Sequence, residues 1–170
     1  MRFGDFLKAT VLLSGASATF LAALTVVGIS SSLEQTPMIV CAVWWVLATI
    51  IGSVLGARDG ATDQIAGLLS GARHQQALPE LAPARVLLNR LWPLLVATLA
   101  AGTASVFLPQ VGGIAAGFAI IWALAWRSQE SAVTAIEERD GARFYVDKTS
   151  PLSTIRLIRT PGFGGDYLRV

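Results

Sequence analysis

The sequence predicts an all-α integral membrane protein, a bundle of four transmembrane helices arranged as two helical hairpins. Hydrophobic residues make up 54% of the 170 residues, charged residues make up only 14%, and the mean hydropathy is +0.60. Soluble proteins carry about 25% charged residues. Long uncharged runs recur along the chain, and the positive charges are distributed as expected for four spans.

The first two spans form a predicted hairpin. A helix needs about 20 apolar residues to cross the hydrocarbon of a bilayer, and the uncharged stretches 9–33 and 35–57 both meet that length. We expect spans over residues 9–30 and 37–57, joined by the short polar turn "SSSLEQTP". A cleaved secretory signal has an apolar region of only about 7–15 residues, so the first run is expected to remain as a helix.

The third uncharged run, residues 91–126, is too long for one crossing. As a continuous helix it would extend about 54 Å at about 1.5 Å per residue, against about 30 Å of hydrocarbon. Pro109 cannot continue a helix interior, and Gly112 and Gly113 permit a tight turn. We therefore expect two further spans, over residues 91–108 and 112–130.

The distribution of positive charge predicts the orientation. All 13 lysines and arginines lie before residue 9, in the middle loop 58–90, or after residue 126. Four spans place these segments on one side, which the positive-inside rule identifies as the cytoplasm. The sequence thus predicts a plasma (inner) membrane protein with both termini cytoplasmic. Trp92 and Trp126 are expected at the membrane interface, where aromatic residues are enriched.

The middle loop contains a predicted amphipathic helix. Its apolar residues recur at helical spacing and form one stripe. We expect Leu68 and Leu69 of this helix to contact the cytoplasmic membrane surface. The alternatives are a helix that covers the end of the bundle and a helix that docks a partner. The stripe consists of Ala61, Ile65, Leu68, Leu69 and Ala72.

Residues 131–170 are expected to form a cytoplasmic part distinct from the transmembrane domain, residues 1–130. The fourth helix should continue until Gly141, a typical residue after a helix end. A short β-hairpin should follow, because "ARFYV" and "STIRLIR" flank turn-forming residues. An isolated hairpin is marginally stable in water, so this tail should pack on the middle loop, a second copy or another protein. The predicted partner- or lipid-contacting residues are Arg143, Phe144, Tyr145, Arg156 and Arg159.

Two pairs of glycines are predicted helix-packing positions. Gly52 and Gly56 in the second span, and Gly113 and Gly117 in the fourth, have the GxxxG spacing that lets helix backbones approach closely. Packing within the chain, contact with another protein or a second copy, and chance in a composition rich in small residues remain alternatives.

The spans contain no ionisable side chain apart from Arg127 and Glu130 at the end of the fourth. Charged groups at the bilayer centre cost about 2.5–3.5 kcal/mol and are retained where ions or protons need them. With one cysteine, Cys41, and one histidine, His74, no disulfide, metal site or haem site is expected. A net charge of +2 gives no support for nucleic-acid binding. We expect no catalytic or cofactor-binding residue.

Two functions remain after these exclusions. The sequence favours a non-enzymatic accessory subunit, scaffold or assembly factor that holds another membrane protein, or copies of itself, in the lipid bilayer. The alternative is a small oligomeric transporter or channel. Hydroxyl groups around a hydrated lumen would indicate transport, and hydroxyl groups bonded to backbone carbonyls would indicate a scaffold. The candidate hydroxyls are those of Thr10, Ser14, Ser17, Thr98, Thr103 and Ser105.

Overall fold

The computed structural model describes residues 1–30, 36–57, 63–74, 83–147 and 155–161. Most residues of the predicted turns "SSSLEQTP" and "DKTSP" lie outside these ranges. The described residues are mostly helical and include one small sheet. The elements are α1 (Phe3–Ser30), α2 (Thr36–Gly56), α3 (Asp63–Ser70), β1 (Arg73–His74), α4 (Pro83–Phe107), α5 (Pro109–Trp126), α6 (Gln129–Asp140), β2 (Ala142–Val146) and β3 (Leu157–Pro161).

Four helical stretches are long and apolar enough to cross a membrane, which confirms the predicted number. They are α1, α2, α4 and the stretch Pro109–Asp140, which joins α5 to α6. Large apolar side chains such as Val27, Val54 and Leu99 are exposed on these helices. Apolar surfaces of this extent are typical of contact with lipid. These are the features of a multi-pass membrane protein.

The break in the long apolar run lies before the glycines that were expected to form it. α4 ends at Phe107 and α5 begins at Pro109. Proline suits the first turn of a helix, because the N–H group that it lacks would have no partner there. Gly112 and Gly113 lie inside α5 and are buried. The prediction that they form the turn is therefore wrong, and proline chemistry explains the break.

The chain divides into two compact units, each built from separate stretches of sequence. The sheet unit contains residues 1–7, 59–90 and 129–170, and the helical unit contains residues 8–58 and 91–128. The contacts group the N-terminal residues and the middle loop with the C-terminal residues. The boundary at residue 130 between a transmembrane domain and a cytoplasmic part stays a prediction.

The sheet has three strands in the order β1-β3-β2. β2 and β3 are antiparallel, with Phe144 opposite Arg159, which confirms the predicted hairpin. β1 comes from the middle loop and pairs in parallel with β3, so that Arg73 lies opposite Ile158. The hairpin therefore packs on the middle loop of its own chain, one of the three predicted alternatives.

The N-terminal residues close the outer edge of β2. Arg2 forms an antiparallel bridge with Tyr145, and the backbone N–H of Val146 donates a hydrogen bond to the carbonyl of Met1 at 3.1 Å. An open sheet edge presents unpaired backbone groups that can pair with other chains. Here the start of the chain occupies part of that edge.

The core of the sheet unit is mainly apolar. Along β2, Ala142, Phe144 and Val146 are buried and Arg143 is exposed, as the two-residue period of a strand requires. α3 packs on β3, and α6 packs on β2. α6 ends at Asp140, and Gly141 follows with φ +55°, which confirms the predicted helix end. The other large buried apolar residues of the unit are Phe3, Phe6, Leu7, Ile65, Leu69, Val86, Val133, Leu157 and Ile158.

In the helical unit, α2 packs along α5 with both helices running in the same direction. The successive contacts pair Cys41 with Gly113 near the start of α2 and Gly52 with Leu124 further along. Because both residue numbers increase together, the helices are parallel. α2 and α5 are the second members of the two predicted hairpins, and second members of two such hairpins must run in the same direction.

Candidate functional site

Gly52 and Gly56 lie where α2 contacts α5. A Cβ atom at Gly52 would lie 3.0 Å from Cα of Ile121, and a Cβ atom at Gly56 would meet the backbone carbonyl of Leu124. Backbone atoms cannot move aside as a flexible side chain can. These two positions therefore permit the close approach of the helices, the role that small residues have in membrane helix packing.

Gly113 and Gly117 face α2 from the opposite side of the same contact. A Cβ atom at Gly113 would meet Sγ of Cys41, and one at Gly117 would meet the indole ring of Trp44. All four predicted glycines therefore pack within the chain. Their faces are occupied by α2 and α5 and are not presented to a partner.

Two adjacent tryptophans link α2 to the backbone of α5. The indole N–H of Trp45 donates a hydrogen bond to the carbonyl of Gly113 at 2.8 Å, and that of Trp44 donates to the carbonyl of Ile114 at 3.1 Å. The glycines of α5 leave room for indole rings. The GxxxG spacing alone does not identify the helix that supplies those rings.

Replacing Trp45 with phenylalanine should lower the stability of the helical unit by about 0.6 kcal/mol, the average for interhelical hydrogen bonds in membranes. A smaller aromatic ring replaces the indole, and the N–H group is lost. Thermal unfolding in mild detergent measures the change. Trp92→Phe is the control, because that ring is 45% exposed. Equal losses for the two variants would contradict a role for the Trp45 hydrogen bond.

Three of the candidate hydroxyls, those of Ser17, Thr98 and Ser105, take part in hydrogen bonds within the chain. Thr98 donates a hydrogen bond to the carbonyl of Leu94 at 2.8 Å, and its Oγ1 lies 3.1 Å from Oγ of Ser17. Ser105 donates to the carbonyl of Gly102 at 2.7 Å. By the criterion drawn from the sequence, bonding of this kind favours a scaffold.

Three residues with hydroxyl groups form a buried polar face on α1. Thr10, Ser14 and Ser17 lie on one face of the helix and are buried. The hydroxyl oxygen of Ser14 has no hydrogen-bond partner among the residues that the structure describes. A buried hydroxyl without a partner costs free energy, so this position favours the alternative function.

A cavity of about 130 Å³ lies between the last turns of α1 and the first turns of α2. Most of its wall is aliphatic or aromatic, and Cys41 contributes the thiol of the single cysteine. The residues that line this α1–α2 cavity are Thr25, Val26, Ile29, Ser30, Met38, Cys41, Ala42 and Trp45.

Glu137 joins three separate parts of the sheet unit. Its side chain is 8% exposed, and Oε2 lies 3.1 Å from Nη2 of Arg2. Oε1 accepts a hydrogen bond from the backbone N–H of Phe144 at 2.9 Å. α6, the N-terminal residues and β2 thus meet at one carboxylate. The role of Glu137 was not predicted, because nothing in its neighbouring sequence relates it to Arg2.

The predicted tail residues differ in exposure. Phe144 is 1% exposed and belongs to the core, and Tyr145 is half-buried beside the N-terminal residues. Arg143 and Arg156 are exposed. The structure therefore leaves the two arginines at the surface, where a partner or a lipid headgroup can reach them, and places Phe144 inside.

Arg159 is half-buried and pairs with Asp140, with Nη2 and Oδ2 3.9 Å apart. Arg139 donates a hydrogen bond to Asp140 at 2.9 Å. Two basic residues of the unit thus share one carboxylate.

The predicted membrane-interface residues also lie in different surroundings. Leu69 is buried within the sheet unit and Leu68 is half-buried. Trp92 is exposed, and Trp126 stacks on Trp122 with 5.7 Å between ring centroids. Contact of these four residues with a membrane interface stays a prediction, although Leu69 lies against protein atoms here.

Within the described ranges, no group of three or more His, Cys, Asp or Glu side chains is placed to hold a metal ion. Comparison with protein-family models, with curated proteins and with solved structures finds no match for this chain.

Proposed function

We propose that the chain is a non-catalytic scaffold or accessory subunit of a plasma-membrane complex, with both termini and the middle loop in the cytoplasm. The observation that carries this proposal is the composition of the sheet unit. Residues 1–7, which include the first turn of α1, residues 59–90 and residues 129–170, which follow α5, group into one compact unit. When three polar segments of a membrane protein fold together, they form one continuous protein surface on which a partner can bind.

The same composition supports the four-span topology. β1 lies between the second and third apolar helices, β3 follows the fourth, and Arg2 precedes the first. Strands that pair in one sheet must lie on the same side of a membrane. Two membrane crossings separate each of these segments from the next, so all three segments lie on the same side of the membrane. The positive-inside rule favours the cytoplasm for that side.

The chemistry of the helical unit favours a scaffold over a transporter. The hydroxyls of Thr98 and Ser105 bond to backbone carbonyls, and the cavity between α1 and α2 is mainly apolar. The glycine faces pack α2 on α5. Partner contact is therefore expected through the exposed arginines of the sheet unit, Arg143 and Arg156, whose charge suits an acidic protein segment.

The test is the size of the complex purified from its native membranes in mild detergent. Arg143→Glu with Arg156→Glu reverses two exposed charges and leaves the core of the sheet unit unchanged. Arg85→Glu reverses another exposed charge of the same unit, in the first turns of α4, and is the matched control. Light scattering should show a larger assembly for the parent and the control and the free chain for the double variant. A parent that is already a free monomer would contradict the proposal.

The alternative function, a small oligomeric transporter or channel, is favoured by the buried hydroxyl of Ser14. It is tested with the purified chain in liposomes. Flux of ions or a solute that falls in the Ser14→Ala variant would replace the scaffold proposal. We expect no flux above that of empty liposomes.

A further inference from the structure

We propose that the α1–α2 cavity is a binding site for one acyl chain of a membrane lipid. This inference rests on the proposed membrane insertion and goes beyond it, because it assigns a specific site and a ligand class. The chemistry of the wall, the size of the cavity and the exposure of two residues of its wall support it.

Three polar groups in the wall already donate hydrogen bonds within the chain. The hydroxyl of Thr25 donates to the carbonyl of Leu21 at 2.8 Å, and that of Ser30 donates to the carbonyl of Val27 at 2.9 Å. The indole N–H of Trp45 is bonded to α5. A polar ligand would lose its hydrogen bonds to water and find none of these three donors free. The wall therefore selects a hydrocarbon group.

The size of the cavity suits part of a chain. A cavity of about 150 Å³ with apolar walls stays dry and accepts a benzene-sized group, and this one has a volume of about 130 Å³. An unfilled apolar void forfeits the dispersion contacts of the atoms that line it. A stretch of a few methylene groups would restore those contacts.

Two residues of the cavity wall are also exposed on apolar helices. Val26 and Met38 line the cavity, and they are also 52% and 60% exposed. Both belong to helices that are long and apolar enough to cross a membrane. Acyl chains are the apolar molecules in contact with such a surface, so a chain can enter from the side without leaving the bilayer.

The experiment uses Trp45 as a reporter, because its ring lines the cavity. A variant with the other four tryptophans changed to phenylalanine is reconstituted in vesicles of phosphatidylcholine brominated in its acyl chains. Bromine quenches indole fluorescence on contact. We expect quenching of Trp45, and we expect Ala42→Phe, which places a ring at the cavity wall, to remove most of it. Val43→Phe, at the neighbouring exposed position outside the wall, should leave the quenching unchanged.

Equal quenching in the Ala42→Phe and Val43→Phe variants would overturn the proposed site. A chain that retains only Trp122, which is 53% exposed, separates the two proposals. Quenching of Trp122 without quenching of Trp45 refutes the cavity alone, and absence of both refutes membrane insertion.

Discussion

Replacing Phe144 with alanine should destabilise the sheet unit by about 3–5 kcal/mol, the usual cost of truncating a buried phenylalanine. The side chain is 1% exposed, and its backbone N–H is held by the carboxylate of Glu137. The loss is comparable with the whole stability of many small domains. Limited proteolysis of the purified protein in mild detergent should therefore show rapid cleavage in the C-terminal residues.

The adjacent Arg143→Ala variant is the matched control. Arg143 is exposed on the same strand, and surface substitutions of this kind usually change stability by no more than about 0.5 kcal/mol. Its cleavage should proceed at the parent rate. If the two variants were cleaved equally fast, the tail would not be part of a folded core.

Gly56→Ala should destabilise the helical unit by about 1–3 kcal/mol, the typical cost of overpacking. The added methyl group would meet the carbonyl of Leu124, a backbone atom of α5. The helices can relieve this contact only by moving apart, which would also weaken the hydrogen bond from the hydroxyl of Ser128 to the carbonyl of Gly56, 2.9 Å in the parent. Thermal unfolding in mild detergent is the measurement.

Gly15→Ala makes the same chemical change in α1, where a Cβ atom would have nothing within 4 Å. Alanine is favoured over glycine in a helix interior by about 1 kcal/mol, so this variant should be as stable as the parent or slightly more stable. A loss of stability at Gly15 equal to that at Gly56 would show that the glycines matter for a reason other than the α2–α5 contact.

The sequence predicts the apolar helices well, because hydrophobic length is a local property. An uncharged run of sufficient length has few alternatives in a membrane protein. The helix end at Gly141 and the pairing of β2 with β3 also follow from neighbouring residues. The glycine spacing indicates close packing, yet it does not identify the partner helix. That choice depends on side chains such as Trp44 and Cys41, which lie far away in the sequence.

The composition of the sheet unit could not be predicted in the same way. β1 is a strand of two residues, too short to have a hydrophobic period. The bridge from Arg2 to Tyr145 and the ion pair from Arg2 to Glu137 join residues at opposite ends of the chain. Single-sequence patterns carry no information on such contacts. The same limit explains why Phe144 was expected at a partner surface, when β1 and the N-terminal residues complete the sheet around it.

The most direct test of the four-span arrangement is labelling of single cysteines with a membrane-impermeant thiol reagent in a Cys41→Ala background. Asp5→Cys, Arg85→Cys and Arg156→Cys report on the three segments of the sheet unit, and Gln110→Cys reports on the start of α5; all four positions are exposed. In intact cells only Gln110→Cys should be labelled, and permeabilised cells should show labelling at all four positions. Labelling of Asp5→Cys, Arg85→Cys or Arg156→Cys in intact cells would contradict the proposed topology.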